Sequence, residues 1–344
     1  MCGIVGVVGN SNAVDILIQG LEKLEYRGYD SAGIYVTDAP DKGCLVKSVG
    51  RIADLRAKIS SDVKGSTGIG HTRWATHGQA TEDNAHPHTS ETGRFVLVHN
   101  GVIENYLQIK EEYLQGHKFK GQTDTEIAVH LIGKFVDEDG LSVLEALKKS
   151  LHIIQGSYAF ALVDSQAPDT IYVAKNKSPL LIGVGEGYNM VCSDAMAMIR
   201  ETSQFMEIHD KELVVLTKDA ITVTDYEGNA IERGTYTAEL DLSDIGKGTY
   251  PYYMLKEIDE QPTVMRKLIS TYADDEGNIT VDPAIVKSVQ EADRIYILAA
   301  GTSYNAGFAS KAMFEKLTDT PVEIGVASEW GSNIQLLRKK PMFV

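Results

Sequence analysis

Between about residues 157 and 225 the chain reads as a succession of short apolar runs with no helical segment between them. The runs are Tyr158–Val163, Thr170–Ala174, Leu180–Val184, Met190–Cys192, Glu212–Thr217 and Ile221–Thr224, with turn residues such as Glu227-Gly228-Asn229 punctuating the region. Strands that follow one another without crossover helices pair antiparallel, so this stretch predicts a mostly antiparallel sheet. Earlier in the chain, Ile4–Val8 is apolar and β-branched, bracketed by Gly3, Gly6 and Gly9, and predicts a strand. Asn12 is placed to cap a helix, with Asp15 three residues on and Val14, Leu17, Leu21 and Leu24 at helical spacing. Phe95–His99 predicts a second strand, ended by Asn100-Gly101. Thr123-Asp124-Thr125-Glu126 has the form of a capping box opening a helix through Ile127, Leu131 and Phe135. Helices in the first half and strands in the second predict an α+β domain ending near residue 240.

Residues 241–253 are polar, contain Gly and Pro, and read as a linker, with a helical stretch from about Met254. Arg294–Ala300 then predicts a strand, Gly301-Thr302-Ser303 a turn, Asn305–Leu317 a helix and Val322–Val326 a strand. One strand–loop–helix–strand unit is the pattern of a parallel α/β domain. The expected organisation is a domain at 2–240, a linker and helical connection at 241–290, and the start of an α/β domain at 291–344. There is no internal repeat and no low-complexity segment.

Charge narrows the function. The chain has 33 Lys+Arg against 48 Asp+Glu, a net charge of −15, which disfavours nucleic acid and anionic membranes as partners. With 43% hydrophobic and 24% charged residues it has the composition of a soluble globular protein. The N-terminus has no basic n-region and no cleavage pattern, and no apolar run is long enough to span a bilayer. Its cysteines, Cys2, Cys44 and Cys192, are odd in number and far apart, which argues against a disulfide framework and for a reducing, cytoplasmic location.

Cys2 carries the sharpest chemistry. Removal of Met1 would leave a residue with both a thiol and an α-amine, whose reference pKa values are about 8.5 and 7.7–8.0. The amine can then take the proton of its own thiol, directly or through a water, as in other N-terminal nucleophiles. Cys44 and Cys192 lack that amine and read as structural. In His71-Thr72-Arg73-Trp74-Ala75-Thr76-His77-Gly78, Arg73 is a natural fork for a carboxylate, and the Thr76 hydroxyl could add a bond. His71, His77, His86 and His88 fall in a short span that invites a metal, but the spacing fits no zinc pattern, and ordinary hydrogen-bonding roles are favoured. Asn100 and Gly101 can offer a side-chain and a backbone N–H to an oxyanion, or can form a plain Asn-Gly turn. Asp124 can hold an ammonium group or simply charge a helix start. Together these residues describe a site for an amino acid with a side-chain amide, such as glutamine: Arg73 for its carboxylate, Asp124 for its ammonium, Cys2 to attack the carboxamide.

Six ordered segments strengthen that reading: CGIVG at the start, LEYRGYDSAG (24–33), HTRWATHG (71–78), NAHPH (84–88), HNGVIENY (99–106) and TDTE (123–126), followed by YYMLKEIDEQP (252–262) and GTSYNAG (301–307). They resemble glutamine amidotransferases of the glucosamine-6-phosphate synthase family, and the resemblance covers essentially the whole chain. It implies a four-layer αββα N-terminal-nucleophile hydrolase fold, followed by an incomplete sugar-isomerase (SIS) domain. It implies Cys2 as nucleophile and Asn100 and Gly101 as the oxyanion hole. Arg73, Thr76, His77 and Asp124 would bind glutamine, Arg27 and Gly28 would position the N-terminal amine, and Trp74 would gate an ammonia channel. Gly301, Thr302 and Ser303 match the first part of a sugar-phosphate site. The family's later phosphate loop and isomerisation residues have no counterpart before Val344, so negligible amination of fructose 6-phosphate is expected of these 344 residues. The resemblance implies neither metal nor organic cofactor, and a homodimer for the whole family protein. The alternatives weighed are another class II amidotransferase, such as an amidophosphoribosyltransferase, and a non-catalytic sugar-phosphate-binding regulator.

Overall fold

The structure, a computed structural model, describes residues 2–75, 78–238, 250–274 and 276–344. Thr76, His77 and residues 239–249, which include most of the linker expected at 241–253, lie outside the described residues. The chain divides into two compact units, 1–246 and 247–344.

The first unit contains the strands β1 (Gly3–Val8), β2 (Ser31–Thr37), β3 (Cys44–Val49), β4 (Thr67–Arg73), β5 (His88–Thr89), β6 (Phe95–Ile103) and β7 (Gly156–Asp164). They are followed by β8 (Ile171–Asn176), β9 (Leu181–Val184), β10 (Asn189–Cys192), β11 (Gln204–Glu207), β12 (Glu212–Leu216), β13 (Ile221–Asp225) and β14 (Tyr236–Thr237). One sheet has the order β14-β11-β9-β10-β1-β4-β2-β3 and the other β13-β12-β8-β7-β6-β5. Every ladder between these strands is antiparallel. Helices α1 (Ala13–Leu24) and α2 (Ile52–Lys58) pack on the first sheet; of α3 (Tyr106–Tyr113), α4 (Asp124–Asp137) and α5 (Val143–Ile153), α4 lies on the second sheet with α3 and α5 against it.

Alternation along the strands builds the four layers. In β1, Ile4 and Val8 face the second sheet while Val5 and Val7 pack under Leu17, Leu21 and Leu24 of α1. In β6, Val96 and Val98 enter the space between the sheets while Phe95 and Leu97 meet Ile127, Leu131 and Phe135 of α4. Both faces of these strands are buried, which is why they read as nearly continuous apolar runs rather than as alternating ones.

Local details differ from the sequence reading. Asn12 occupies the N-cap position of α1 but its side chain makes no capping bond; Asn10 Oδ1 accepts from the Asn12 N–H at 3.0 Å instead. Thr123 does cap α4, accepting from Glu126 N at 3.3 Å. Glu126 does not return the bond to Thr123; its two oxygens take the N–H groups of Lys120 and Gly121, each at 2.8 Å. Asn100-Gly101 does not end β6, because β7 pairs with every residue from Phe95 to Ile103. The first half is not mainly helical either: β2, β3 and β4 stand where the sequence reading had no strand.

In the second unit, α6 (Tyr253–Tyr272, with Pro262 inside it) and α7 (Pro283–Glu291) precede β15 (Arg294–Ala299), α8 (Gly301–Thr318), β16 (Val322–Val326) and β17 (Pro341–Phe343). β16 and β17 flank β15, both parallel to it. Gly301, Thr302 and Ser303, expected as a turn, form the first turn of α8. No helix among the described residues is long and apolar enough to cross a membrane, and all three cysteines are free thiols.

The inter-sheet layer should dominate stability. Ile69, fully buried there, should cost about 2–5 kcal/mol on truncation to Ala. Leu107→Ala, at a residue 58% exposed, should stay within about 0.5 kcal/mol of the parent. Urea unfolding followed by circular dichroism distinguishes the two.

Candidate active site

The β1–β4 ladder brings the proposed nucleophile to its neighbours. Gly3 pairs with Thr72, so Cys2, one residue earlier, falls beside Arg73 and Trp74. The Trp74 N–H donates to Cys2 Sγ at 3.3 Å, and Sγ lies 3.5 Å from Trp74 O. Burial pushes the Cys2 thiol above its ordinary pKa, against the Trp74 N–H bond, which favours thiolate. The Trp74 ring is half exposed and meets Tyr29 edge to face at 5.6 Å between centroids.

Arg73 ends β4 and is buried. Its guanidinium donates to Gly78 O and Gln79 O, both at 3.2 Å, and lies 3.7 Å from Asp30 Oδ1. Asp30 also accepts from Ser31 Oγ at 2.7 Å and from the Ala75 N–H, so one carboxylate ties the Arg73 head to the loop that follows it. Gly28 lies against the same loop: a Cβ there would stand 2.8 Å from Trp74 N and from Arg73 C, closer than any side chain tolerates. Arg27 precedes it, at the end of a short 3-10 turn, Glu25–Arg27.

Asn100 and Gly101 sit inside β6 with their strand pairing intact. Gly101 has φ +138°, and a Cβ would meet Ser157 O at 2.1 Å, so only glycine fits. The Asn100 amide is held at both ends. Nδ2 donates to Cys2 O at 3.3 Å, and Oδ1 lies 2.9 Å from His71 Nε2. The same Nε2 lies 3.0 Å from His99 O. A backbone carbonyl only accepts, so Nε2 carries the proton, and the amide must turn its oxygen toward His71 and its N–H₂ toward Cys2. One N–H remains after the bond to Cys2 O. His71 is fully buried, which lowers its pKa to about 3 and keeps it neutral.

Behind this amide the histidines form a packed array. His71 stacks on His86 at 4.0 Å, and His86 meets His88 edge to face at 4.7 Å. The His99 N–H donates to His86 Nδ1 at 3.3 Å, His99 Nδ1 lies 2.8 Å from Thr125 Oγ1, and His88 Nε2 lies 3.0 Å from Thr123 Oγ1. Among the described residues these nitrogens do not converge as a metal-ligand set.

Asp124, the first residue of α4, is buried; its Oδ2 accepts from the Ile103 N–H at 2.8 Å. A cavity of about 340 Å³ gathers Cys2, Arg73, Trp74, Asn100, Gly101 and Asp124, with Ser178 and Pro179 closing it. That volume suits a small ligand. Sequence reasoning had missed Asp30, His71 as partner of the Asn100 amide, and Ser178. Asp30 meets Arg73, and His71 meets Asn100, across long stretches of sequence, and Ser178 reaches the cavity only through the fold, so no local pattern announced them. Thr76 and His77 lie outside the described residues, and Gly301–Ser303 belong to the second unit.

The layers and cavity are those of a glutamine amidotransferase domain with the N-terminal-nucleophile fold. The family description "Glutamine amidotransferase domain" matches residues 71–201, and "SIS domain" matches 288–344. Two solved structures share the fold: the glutamine phosphoribosylpyrophosphate amidotransferase of B. subtilis (TM-score 0.59, 23% identity, covering 94% of this chain and 66% of that one), and an allosteric regulatory enzyme of purine biosynthesis (TM-score 0.60, 24% identity, covering 94% of this chain and 65% of that one). Sequence similarity is far higher elsewhere. The glutamine–fructose-6-phosphate aminotransferase (isomerizing) of Streptococcus mutans is 83% identical over 344 residues, all of this chain and 57% of the relative. That of Streptococcus pneumoniae is 78% identical over the same span. Over its whole length the chain is similar to the glutamine–fructose-6-phosphate aminotransferases (isomerizing), and it spans just over half the length of these relatives.

Burial lowers the pKa of His71, His86 and His88 alike. Each is neutral when folded but takes up a proton in the unfolded chain below its ordinary pKa of about 6.5. Stability from these residues is therefore complete above that value and falls on acidification toward the folded pKa, by up to about 1.4 kcal/mol per pH unit for each. The urea midpoint should drop between pH 7 and 5. His71→Gln should make that drop shallower, whatever its effect at pH 7.

Proposed function

We propose that the first unit hydrolyses glutamine to glutamate and ammonia. The observation that carries the reading is the single cavity shared by a thiol, a carboxylate-binding cation, an ammonium-binding anion and an oriented amide donor. With Met1 removed, the Cys2 α-amine takes the thiol proton. This matters because burial makes that thiol hard to ionise unaided. The sulfur attacks the glutamine carboxamide carbon. The free Asn100 N–H and the Gly101 N–H receive the developing oxyanion, and His71 acts as a positioning residue that keeps the Asn100 amide turned that way. The C–N bond breaks, ammonia leaves with the proton, and water resolves the thioester to glutamate and free thiol. Arg73 takes the substrate carboxylate, Thr76 and His77 keep the glutamine-binding role expected of them, and Asp124 takes the α-ammonium through the oxygen not bound to Ile103. Arg27 and Gly28 support the N-terminal amine.

The relatives' name pairs glutamine with fructose 6-phosphate, and we extend that pairing to this chain as the destination of the ammonia, with Trp74 at the exit. Gly301, Thr302 and Ser303 would contribute part of a sugar-phosphate site, their N–H and O–H groups standing at the N-terminus of α8. The amidophosphoribosyltransferase alternative is supported only by fold, at 23% identity.

Glutamate release from glutamine tests the reading. Cys2→Ala should abolish it, and Asn100→Ala should lower kcat by about 10²–10³-fold with little change in KM. Arg73→Lys and Asp124→Asn should act mainly on KM. Equal turnover by the parent and by Cys2→Ala would overturn the proposal.

A further inference from the structure

Away from the cavity, three donor groups converge where α3, α4 and the turn after β5 meet. One nitrogen each of His117 and His130 and one oxygen of Glu91 lie within 4.8 Å of one another. His130, on α4, has its side chain only 2% exposed, and its buried Nδ1 has no hydrogen-bond partner. A buried ring nitrogen without a partner is a costly arrangement that native cores avoid. His117 is held between two carboxylates. Its Nδ1 lies 2.9 Å from Glu91 Oε2, yet at an angle that makes no hydrogen bond, and its Nε2 lies 3.2 Å from Glu138 Oε1. Each His117 ring nitrogen thus faces a carboxylate oxygen, and Nδ1, the one turned toward Glu91, is left without a hydrogen bond.

We propose that Glu91, His117 and His130 form a binding site for a divalent transition-metal ion of the zinc class, with Glu138 orienting His117 from behind. Two imidazoles and a carboxylate, with a fourth position open to water, are a zinc-type donor set rather than a magnesium or calcium one. A carboxylate on the far nitrogen of a ligating His is the usual outer-shell arrangement. Ligand atoms around zinc stand about 3.3 Å apart, so the site closes by a small movement of Glu91, whose side chain is 41% exposed. The neighbouring Lys134 is paired with Asp139 at 2.9 Å and Glu138 at 3.5 Å, so its charge is already balanced. The ion would pin the turn after β5 and the loop after α3 to the middle of α4, the helix whose first residue is Asp124.

The test is calorimetric titration of Zn²⁺ into chelator-treated protein in a Cys2→Ala background, which removes the cavity thiol as a competing ligand. One ion per chain should bind, and its binding should raise Tm. His117→Gln and His130→Asn should weaken it by more than tenfold, and Glu138→Gln by about 10–100-fold. Glu91→Gln alters an exposed side chain and keeps the test valid if His130→Asn misfolds. Cobalt(II) gives a second readout, visible bands that should vanish in His117→Gln. Absence of uptake, or uptake unchanged by His117→Gln and Glu91→Gln, would overturn the site.

Discussion

The antiparallel register of β1 on β4 is the constraint on which the rest of the first unit depends. Pairing Gly3 with Thr72 does two things at once. It sends Ile4 and Val8 into the layer between the sheets and Val5 and Val7 under α1. It also leaves Cys2 just beyond the ladder, against the backbone of Trp74. A slip of one residue would exchange the two apolar faces and carry the thiol away from Arg73. Core packing therefore fixes the position of the sulfur, and the geometry of the site is a by-product of where four β-branched side chains must go.

A second layer of order comes from polar groups that are buried. His71, His86, His88 and His99 sit between the cavity and the core, joined by stacking and by bonds to Thr123, Thr125 and the Asn100 amide. Because burial keeps His71 neutral, its tautomer is set by two oxygen acceptors and not by the pH of the solution. The Asn100 amide inherits that fixed direction.

Much of this was legible in the residues. The strands from Tyr158 onward announced themselves because β-branched residues and turn residues alternate there, and their antiparallel pairing followed from the lack of helices between them. Cys2, Arg73, Asn100, Gly101 and Asp124 stood out because each carries chemistry specific to its type. What could not be read was β4, whose sequence, TGIGHTR, has two glycines and little β propensity. It becomes a strand because β1 and β2 pair with it on both sides. Asn100-Gly101 misled for the opposite reason. The pair is a strong local turn signal, overruled here by nine consecutive pairings between β6 and β7. Contacts such as Arg73 with Asp30, or His71 with Asn100, join residues distant in sequence and belong to the tertiary fold alone.

The contact between Trp74 and the cysteine sulfur runs through main-chain atoms on both of its sides. Main-chain atoms do not change when a side chain is exchanged. The indole can therefore vary in size or polarity, and the thiol keeps the same donor and the same acceptor, provided the loop holds its path over Gly28. If the ring has the exit role proposed for it, the two duties of this residue are separable, one inherited by whatever amino acid stands there and the other belonging to the ring, so selection can tune what leaves the cavity without disturbing what happens inside it.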